Sequence, residues 1–230
     1  MKLIRTQLSL KTPFSFTCNC CLRCCRDKRI QLNPYETARL AANRGISTTE
    51  FIAQFTTSNG TYLVFTDKGA CVFLDSGGCG VHPDRPLVCR LYPLGRHVSG
   101  AGVETFSELE REEGCEGTYG DAGLISHYLK AQETKPYMEA ADRYLELFWK
   151  LTAFMQTNAS DPGQRKYVRQ AARRFKDGLG QEASSWMDMD TAVMKYCTEN
   201  GKAFPSELSE KMALHIEAVE TWINDTGKGE

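Results

Sequence analysis

Apolar residues recur at helical spacing through most of the second half of the chain, but only in short runs through the first. From Lys135 to Met155, one stripe carries Tyr137, Ala141, Tyr144, Leu145, Phe148, Leu151 and Met155, which predicts a long amphipathic helix. Asp161-Pro162-Gly163 breaks it. Residues 164–180 predict a second helix, basic through Arg165, Lys166, Arg169, Arg173, Arg174 and Lys176. A third runs from Asp188 to Asn200, with Asp188 or Asp190 as its cap and Gly201 as its stop. A fourth, Ser206 to Asp225, keeps Leu208, Met212, Ile216, Val219 and Ile223 on one side. These stripes read as packing faces of a small bundle rather than as a cofactor groove.

The first half has a shorter rhythm. Leu32 to Gly45 predicts a helix with Asn33 as cap, Pro34 in the first turn, Glu36 at the positive end, Leu40 facing inward and Gly45 as a left-handed stop. Ser47 and Glu50 have capping-box spacing and open a second short helix. Thr61 to Leu74 predicts a hairpin around Asp67-Lys68-Gly69, and Leu94 to Leu109 another that turns at Ser99 to Gly102. Asp75 to Pro86, rich in glycine and proline, reads as loop. The expected fold class is therefore α+β. A small cysteine-rich domain over residues 1–120 is followed by a helical part over residues 121–230.

Composition narrows the function classes. The chain has 230 residues, 41% hydrophobic and 25% charged, which fits a globular protein. A formal net charge of −1 gives no bulk attraction to nucleic acid or anionic lipid. The basic helix has little aromatic interleaving and reads as a solvated face, so no nucleic-acid partner is expected. The N-terminus lacks an apolar run long enough for a secretory signal, and no stretch reaches the roughly 20 apolar residues of a membrane span. The expectation is a cytoplasmic protein without membrane contact, whose partner is a protein or a redox protein.

The cysteines then dominate. Nine of ten lie at or before Cys115, and five fall between Cys18 and Cys25. In a reducing compartment such a pattern points to metal or redox chemistry rather than to a disulfide scaffold. Cys18-x2-Cys21-x2-Cys24 has the rhythm with which bacterial ferredoxins wrap an iron–sulfur cluster. Zinc also takes four thiolates, usually from two C-x2–4-C knuckles, but no second knuckle follows: seven residues separate Cys71 from Cys79, and nine separate Cys79 from Cys89. The remote thiols are expected on strand edges or in loops. The neighbours Cys24 and Cys25 are expected to diverge and so to serve different metal ions. One division groups Cys18, Cys21 and Cys24 with Cys89, leaving Cys25, Cys71, Cys79 and Cys115. Cys197, alone on its helix, reads as packing.

These residues resemble a known family. Cys18, Cys21, Cys24 and Cys25, then Arg39-Leu40-Ala41, Cys71-Val72-Phe73-Leu74, Gly78-Cys79, Arg85-Pro86-Leu87-Val88-Cys89-Arg90-Leu91-Tyr92-Pro93 and Cys115 follow the pattern of the YkgJ-type cysteine-cluster family, described as a zinc- or iron-chelating domain. The resemblance covers roughly residues 14–117. The chain departs from it at Arg23, where the family often has glycine, and Cys20 lies outside the shared pattern. The resemblance implies that Cys18, Cys21, Cys24, Cys25, Cys71, Cys79, Cys89 and Cys115 hold metal. It also implies kinship with iron–sulfur proteins, among them flagellin lysine methylases. The expected cofactor is an iron–sulfur cluster, 4Fe–4S before other types, with zinc as the alternative. The corresponding functions are electron transfer or support of a redox or group-transfer step such as methyl transfer, against a zinc module whose helices bind a protein.

Other chemistry is weaker. A radical S-adenosylmethionine frame, C-x3-C-x2-C, would put Thr17 where its first cysteine belongs. The glycine runs lack nucleotide-loop spacing. His82 reads as an exposed loop residue, and His97, His127 and His215 have no ligand spacing. Arg85 and Arg90 flank Cys89 and are candidates for binding the cofactor by neutralising its charge. Ion pairs that hold the loop are the competing role.

Overall fold

The computed structural model describes residues 2–157 and 186–226. The predicted basic helix at 164–180 and the break before it lie outside the described residues. The fold is mixed α+β, with seven α-helices and small antiparallel sheets among the described residues. Two compact units divide the chain, each built from two segments.

The first unit comprises Met1–Ile30 and Phe65–Met138. Its strands are β1 (Leu3–Leu8), β2 (Pro13–Thr17), β5 (Leu74–Asp75), β6 (Gly78–Cys79), β7 (Leu94–Val98), β8 (Glu104–Leu109) and β9 (Thr118–Leu124). Its helices are α3 (Leu87–Leu91) and α4 (Ile125–Ala131). The order β1-β8-β7 makes a three-stranded antiparallel sheet, while β2 pairs with β9 and β5 with β6. The β7–β8 hairpin forms as predicted: Val98 faces Glu104, and Ser99 to Gly102 make the turn. Leu8, Phe14, Leu91, Leu94, Phe106, Ile125, Tyr128 and Leu129 form its core. Phe14 meets Tyr128 edge-on at 5.1 Å.

The predicted Thr61–Leu74 hairpin is corrected. Its turn exists, closed by the Thr66 amide on the Ala70 carbonyl with Gly69 at φ 74°. However, only the Phe65–Cys71 bridge pairs the two runs. The second run pairs instead with the cysteine loop: the Cys71 amide donates to the Cys25 carbonyl, and Arg26 bridges Ala70. A backbone amide donates in one direction, so the nearer strand loses its partner to the loop. The Asp75–Pro86 segment, read as loop, contains β5, β6 and a 3-10 turn at His82–Asp84.

The second unit comprises Gln31–Val64 and Glu139–Glu230. It holds α1 (Pro34–Arg44), α2 (Thr48–Phe55), β3 (Thr56–Thr57), β4 (Tyr62–Leu63), most of α5 (Lys135–Thr157), α6 (Met189–Asn200) and α7 (Leu208–Thr226). Both predicted capping boxes form, Asn33 with Glu36 and Ser47 with Glu50. Asp188 caps α6, and Gly45 and Gly201 take the left-handed stops. The N-termini of α2 and α6 cap one another. Thr48 Oγ1 donates to Asp188 Oδ1 at 2.6 Å, and the Thr48 amide donates to Asp190 Oδ2 at 2.8 Å. Leu40, Phe51 and Val193 are buried. On α5 the buried line runs through Tyr137, Ala140, Tyr144 and Leu147, so Ala141, Leu145 and Phe148 of the predicted stripe are only half-buried; on α7 Met212 and Ile216 are buried, with Leu208 and Val219 half-buried.

The stripe of α7 also buries a histidine that periodicity alone does not flag. His215 is fully buried, and its Nδ1 lies 3.0 Å from the Tyr144 hydroxyl. Burial pushes its pKa down to about 4, against the opposing pull of Asp188. The folded state therefore prefers neutral imidazole, whereas the unfolded chain protonates near 6.5. Stability is fully present above that value and is lost as pH falls from about 6.5 towards 4. The expected loss is about 3 kcal/mol. Tryptophan fluorescence during urea unfolding at pH 7 and pH 4.5 measures it, since all three tryptophans lie in this unit. His215→Phe is expected to flatten that dependence.

Candidate metal centre

The cysteine run leaves β2 in a bend that few side chains favour. Cys20 and Leu22 have φ of 53° and 63°, and Arg23–Cys25 close a 3-10 turn. Left-handed backbone at two non-glycine residues persists where surrounding contacts fix it. Those contacts are present. Asn19 Nδ2 donates to the Glu116 carbonyl at 2.7 Å, the Asp27 amide donates to Gly69 at 2.8 Å, and Lys28 pairs with Glu112. The loop is thereby laid against the segments that carry Cys71 and Cys115.

The remote thiols arrive on separate elements. Cys71 follows the Asp67–Gly69 turn, Cys79 ends β6, and Cys115 closes a turn on the Glu112 carbonyl at 2.9 Å. Cys89 sits within α3, which corrects its expected place on a loop or strand edge. The helix forms because Pro86 opens it and accepts from the Cys89 and Arg90 amides. Cys18 and Cys20 are exposed, while Cys21, Cys24, Cys25, Cys71, Cys79, Cys89 and Cys115 are partly buried. Cys197 is buried, and its thiol lies 3.5 Å from the Ala203 carbonyl, as a packing residue would be.

The adjacent pair does not diverge. Cys24 and Cys25 Sγ lie 4.0 Å apart, because the tight turn at Arg23–Cys25 brings both thiols round to the same side. Two thiolates on one tetrahedral ion at about 2.3 Å stand roughly 3.8 Å apart, so this spacing suits a shared ion. The hydrogen bond from Cys25 holds Cys24 low, at about 7, with Lys28 assisting against the opposing effect of burial. As donor, Cys25 is pushed far up, reinforced by burial and by Cys24, Cys79 and Cys89.

A second regularity was not anticipated from spacing. Four sulfurs are each approached by the backbone amide two residues further on: Cys18 by Cys20, Cys71 by Phe73, Cys79 by Val81 and Cys115 by Gly117. For Cys18 the distance is 3.4 Å. Burial raises Cys18, Cys71 and Cys79, and these amides oppose it. At Cys115 burial is outweighed by the Gly117 amide and the Tyr119 hydroxyl, and the thiol is lowered. Amide donors aimed at sulfur favour thiolate, the form that binds metal. The sequence signal is weak, since any residue but proline supplies such an amide.

Electrostatic neighbours sort the thiols. Cys25 feels Cys24, Cys79 and Cys89, Cys79 feels Cys24, Cys71 feels Cys79, and Cys18 feels Cys24. Cys21 is instead hydrogen-bonded with Cys115. Among the described residues, no three His, Cys, Asp or Glu side chains stand together at metal-holding distance. The tightest element of the site is the 4.0 Å pair, and the donor set, soft and thiolate-rich, fits zinc or iron–sulfur iron.

The two arginines part company. Arg85 donates to the His82 carbonyl at 2.7 Å and to Gln132 Oε1 at 2.6 Å, and interacts with the charges of Cys89 and Cys79. Arg90 is only 2% exposed, and its donors go to the protein itself. Nε reaches the Arg85 carbonyl at 3.0 Å, Nη1 the Gln132 carbonyl at 2.9 Å, and Nη2 both the Pro83 carbonyl and the Tyr137 hydroxyl. Its guanidinium also lies 4.1 Å from the Tyr137 ring centre.

Comparison with known proteins agrees with the site. Residues 17–116 match the CxxCxxCC family, a putative zinc- or iron-chelating domain. That match is consistent with the resemblance read from the cysteine pattern. No curated protein and no solved structure matches the chain significantly. Among the described residues, no helix is long and apolar enough to cross a membrane.

Proposed function

Starting from a cysteine domain of the zinc- or iron-chelating class over residues 17–116, we propose that this protein holds an iron–sulfur cluster and serves a redox step. That step is electron transfer with a protein partner in the cytoplasm, or support of a group transfer such as methyl transfer. The observation that carries the reading is the ferredoxin rhythm of Cys18, Cys21 and Cys24, in a loop bent through two left-handed residues. The amides facing Cys18, Cys71, Cys79 and Cys115 support it, because hydrogen bonds to cluster sulfur are a principal determinant of potential. When bound, the cluster would supply reversible one-electron chemistry. The chain's own part is to supply thiolates, to exclude water by partial burial, and to balance charge through Lys28 and Arg85.

One observation favours a second reading. The 4.0 Å approach of Cys24 and Cys25 suits two thiolates on a single zinc ion. A zinc staple would fix the loops and leave the helices to bind a protein. Absorption spectroscopy of anaerobically purified protein separates the two. The iron–sulfur reading expects a visible band that dithionite bleaches, and a colourless, redox-silent protein would remove it.

A further inference from the structure

Two tyrosines stand beside Cys115: Tyr92, within the Arg85–Pro93 run of the family pattern, and Tyr119, outside it. Tyr119 lies on β9, and Tyr92 follows α3. The Tyr119 hydroxyl stands 3.6 Å from Cys115 Sγ and 3.4 Å from the Tyr92 hydroxyl. Neither ring can swing freely. Phe16 meets Tyr119 edge-on at 4.8 Å and Tyr92 at 5.9 Å, and the Arg111 guanidinium sits 4.0 Å over the Tyr119 ring centre.

Proton counting fixes the direction of the Tyr119 bond once the sulfur is a thiolate. A thiolate carries no proton, so the Tyr119 hydroxyl can only donate to it. The Tyr92 hydroxyl, which also reaches Cys115, can then donate either to the Tyr119 oxygen or to the sulfur itself. The result is two tyrosine hydroxyls converging on a candidate metal ligand. Such bonds stabilise the more negative, reduced state of a thiolate-bound centre and raise its potential.

We propose that Tyr119, backed by Tyr92, is a positioning residue that hydrogen-bonds to the Cys115 sulfur and raises the reduction potential of the centre. This rests on the iron–sulfur reading. It assigns the two side chains a task that the cysteine pattern does not contain. Tyr119→Phe keeps the ring and its packing on Phe16 and Arg111 but removes the donor.

The test is a dye-mediated redox titration of the visible band in anaerobically purified full-length protein. Tyr119→Phe is expected to hold the same iron and sulfide as the parent and to titrate at a lower potential. Tyr92→Phe is expected to shift the same way by less, since Tyr119 still donates. Tyr196→Phe, on α6 in the second unit, is expected to match the parent. An unchanged potential in Tyr119→Phe with the centre intact overturns the proposal and leaves the iron–sulfur reading standing. Should Tyr119→Phe fail to take up iron, an unchanged potential in Tyr92→Phe overturns it. An equal shift in Tyr196→Phe would mark a general perturbation and also overturn it. A parent protein with no reducible band removes both readings together.

Discussion

Arg90→Met is expected to destabilise the first unit by about 3–5 kcal/mol, among the larger effects of any single substitution in this chain. The arginine lies buried, with donors on the Arg85, Gln132 and Pro83 carbonyls and on the Tyr137 hydroxyl. Methionine fills much of the volume but leaves those acceptors without a donor, at about 1–3 kcal/mol for each that water cannot reach. The ion pair with Glu133, 3.9 Å away and on an exposed partner, adds little. Arg90→Lys is expected to recover less than half, because an ammonium cannot span acceptors arranged around a planar fork. Urea unfolding followed by far-UV circular dichroism measures both. A Lys variant within 1 kcal/mol of the parent would show that charge, not the fork, matters. Since Arg90 adjoins Cys89, metal content is expected to fall along with stability.

The second large effect concerns the adjacent cysteines. Cys24→Ser and Cys25→Ser are each expected to remove most of the metal held with Cys79 and Cys89, and the double variant no more than either alone. The basis is the 4.0 Å sulfur separation, the influence of Cys24, Cys79 and Cys89 on Cys25, and that of Cys24 on Cys79. Cys20→Ser, outside the family pattern, and Cys197→Ser, in the core of the second unit, are expected to keep their metal. Metal-to-protein ratios across the set decide the matter. Additive losses from Cys24 and Cys25 would mean that the two serve separate sites.

Local chemistry was legible in the sequence, and long-range pairing was not. Asn33, Ser47 and Asp188 as caps, and Gly45 and Gly201 as stops, act within one helical turn, so each could be read from a few residues. The β7–β8 hairpin closes over four residues and was equally readable. The strands β1, β2 and β9 escaped because their partners lie about 100 residues away, as in Leu8 with Phe106 and Thr17 with Thr118, and because bulges interrupt the alternation. The eight candidate ligands were readable as a set from spacing, but their grouping was not. The turn that brings Cys24 and Cys25 together depends on φ values at Cys20 and Leu22 that their residue types disfavour. Arg90 appeared as a charge beside a ligand, and only the packing of Tyr137 and Gln132 around it reveals a clamp. Tyr92 and Tyr119 meet Cys115 only because β9 runs alongside β2, where Phe16 packs edge-on against both rings.

Elemental analysis of strictly anaerobic preparations tests the central claim most directly. Iron, acid-labile sulfide and zinc should be measured on the same sample of full-length protein. The account predicts iron and sulfide in comparable amounts at a fixed ratio to protein, with zinc well below one ion per chain. Stoichiometric zinc with neither iron nor sulfide would contradict it.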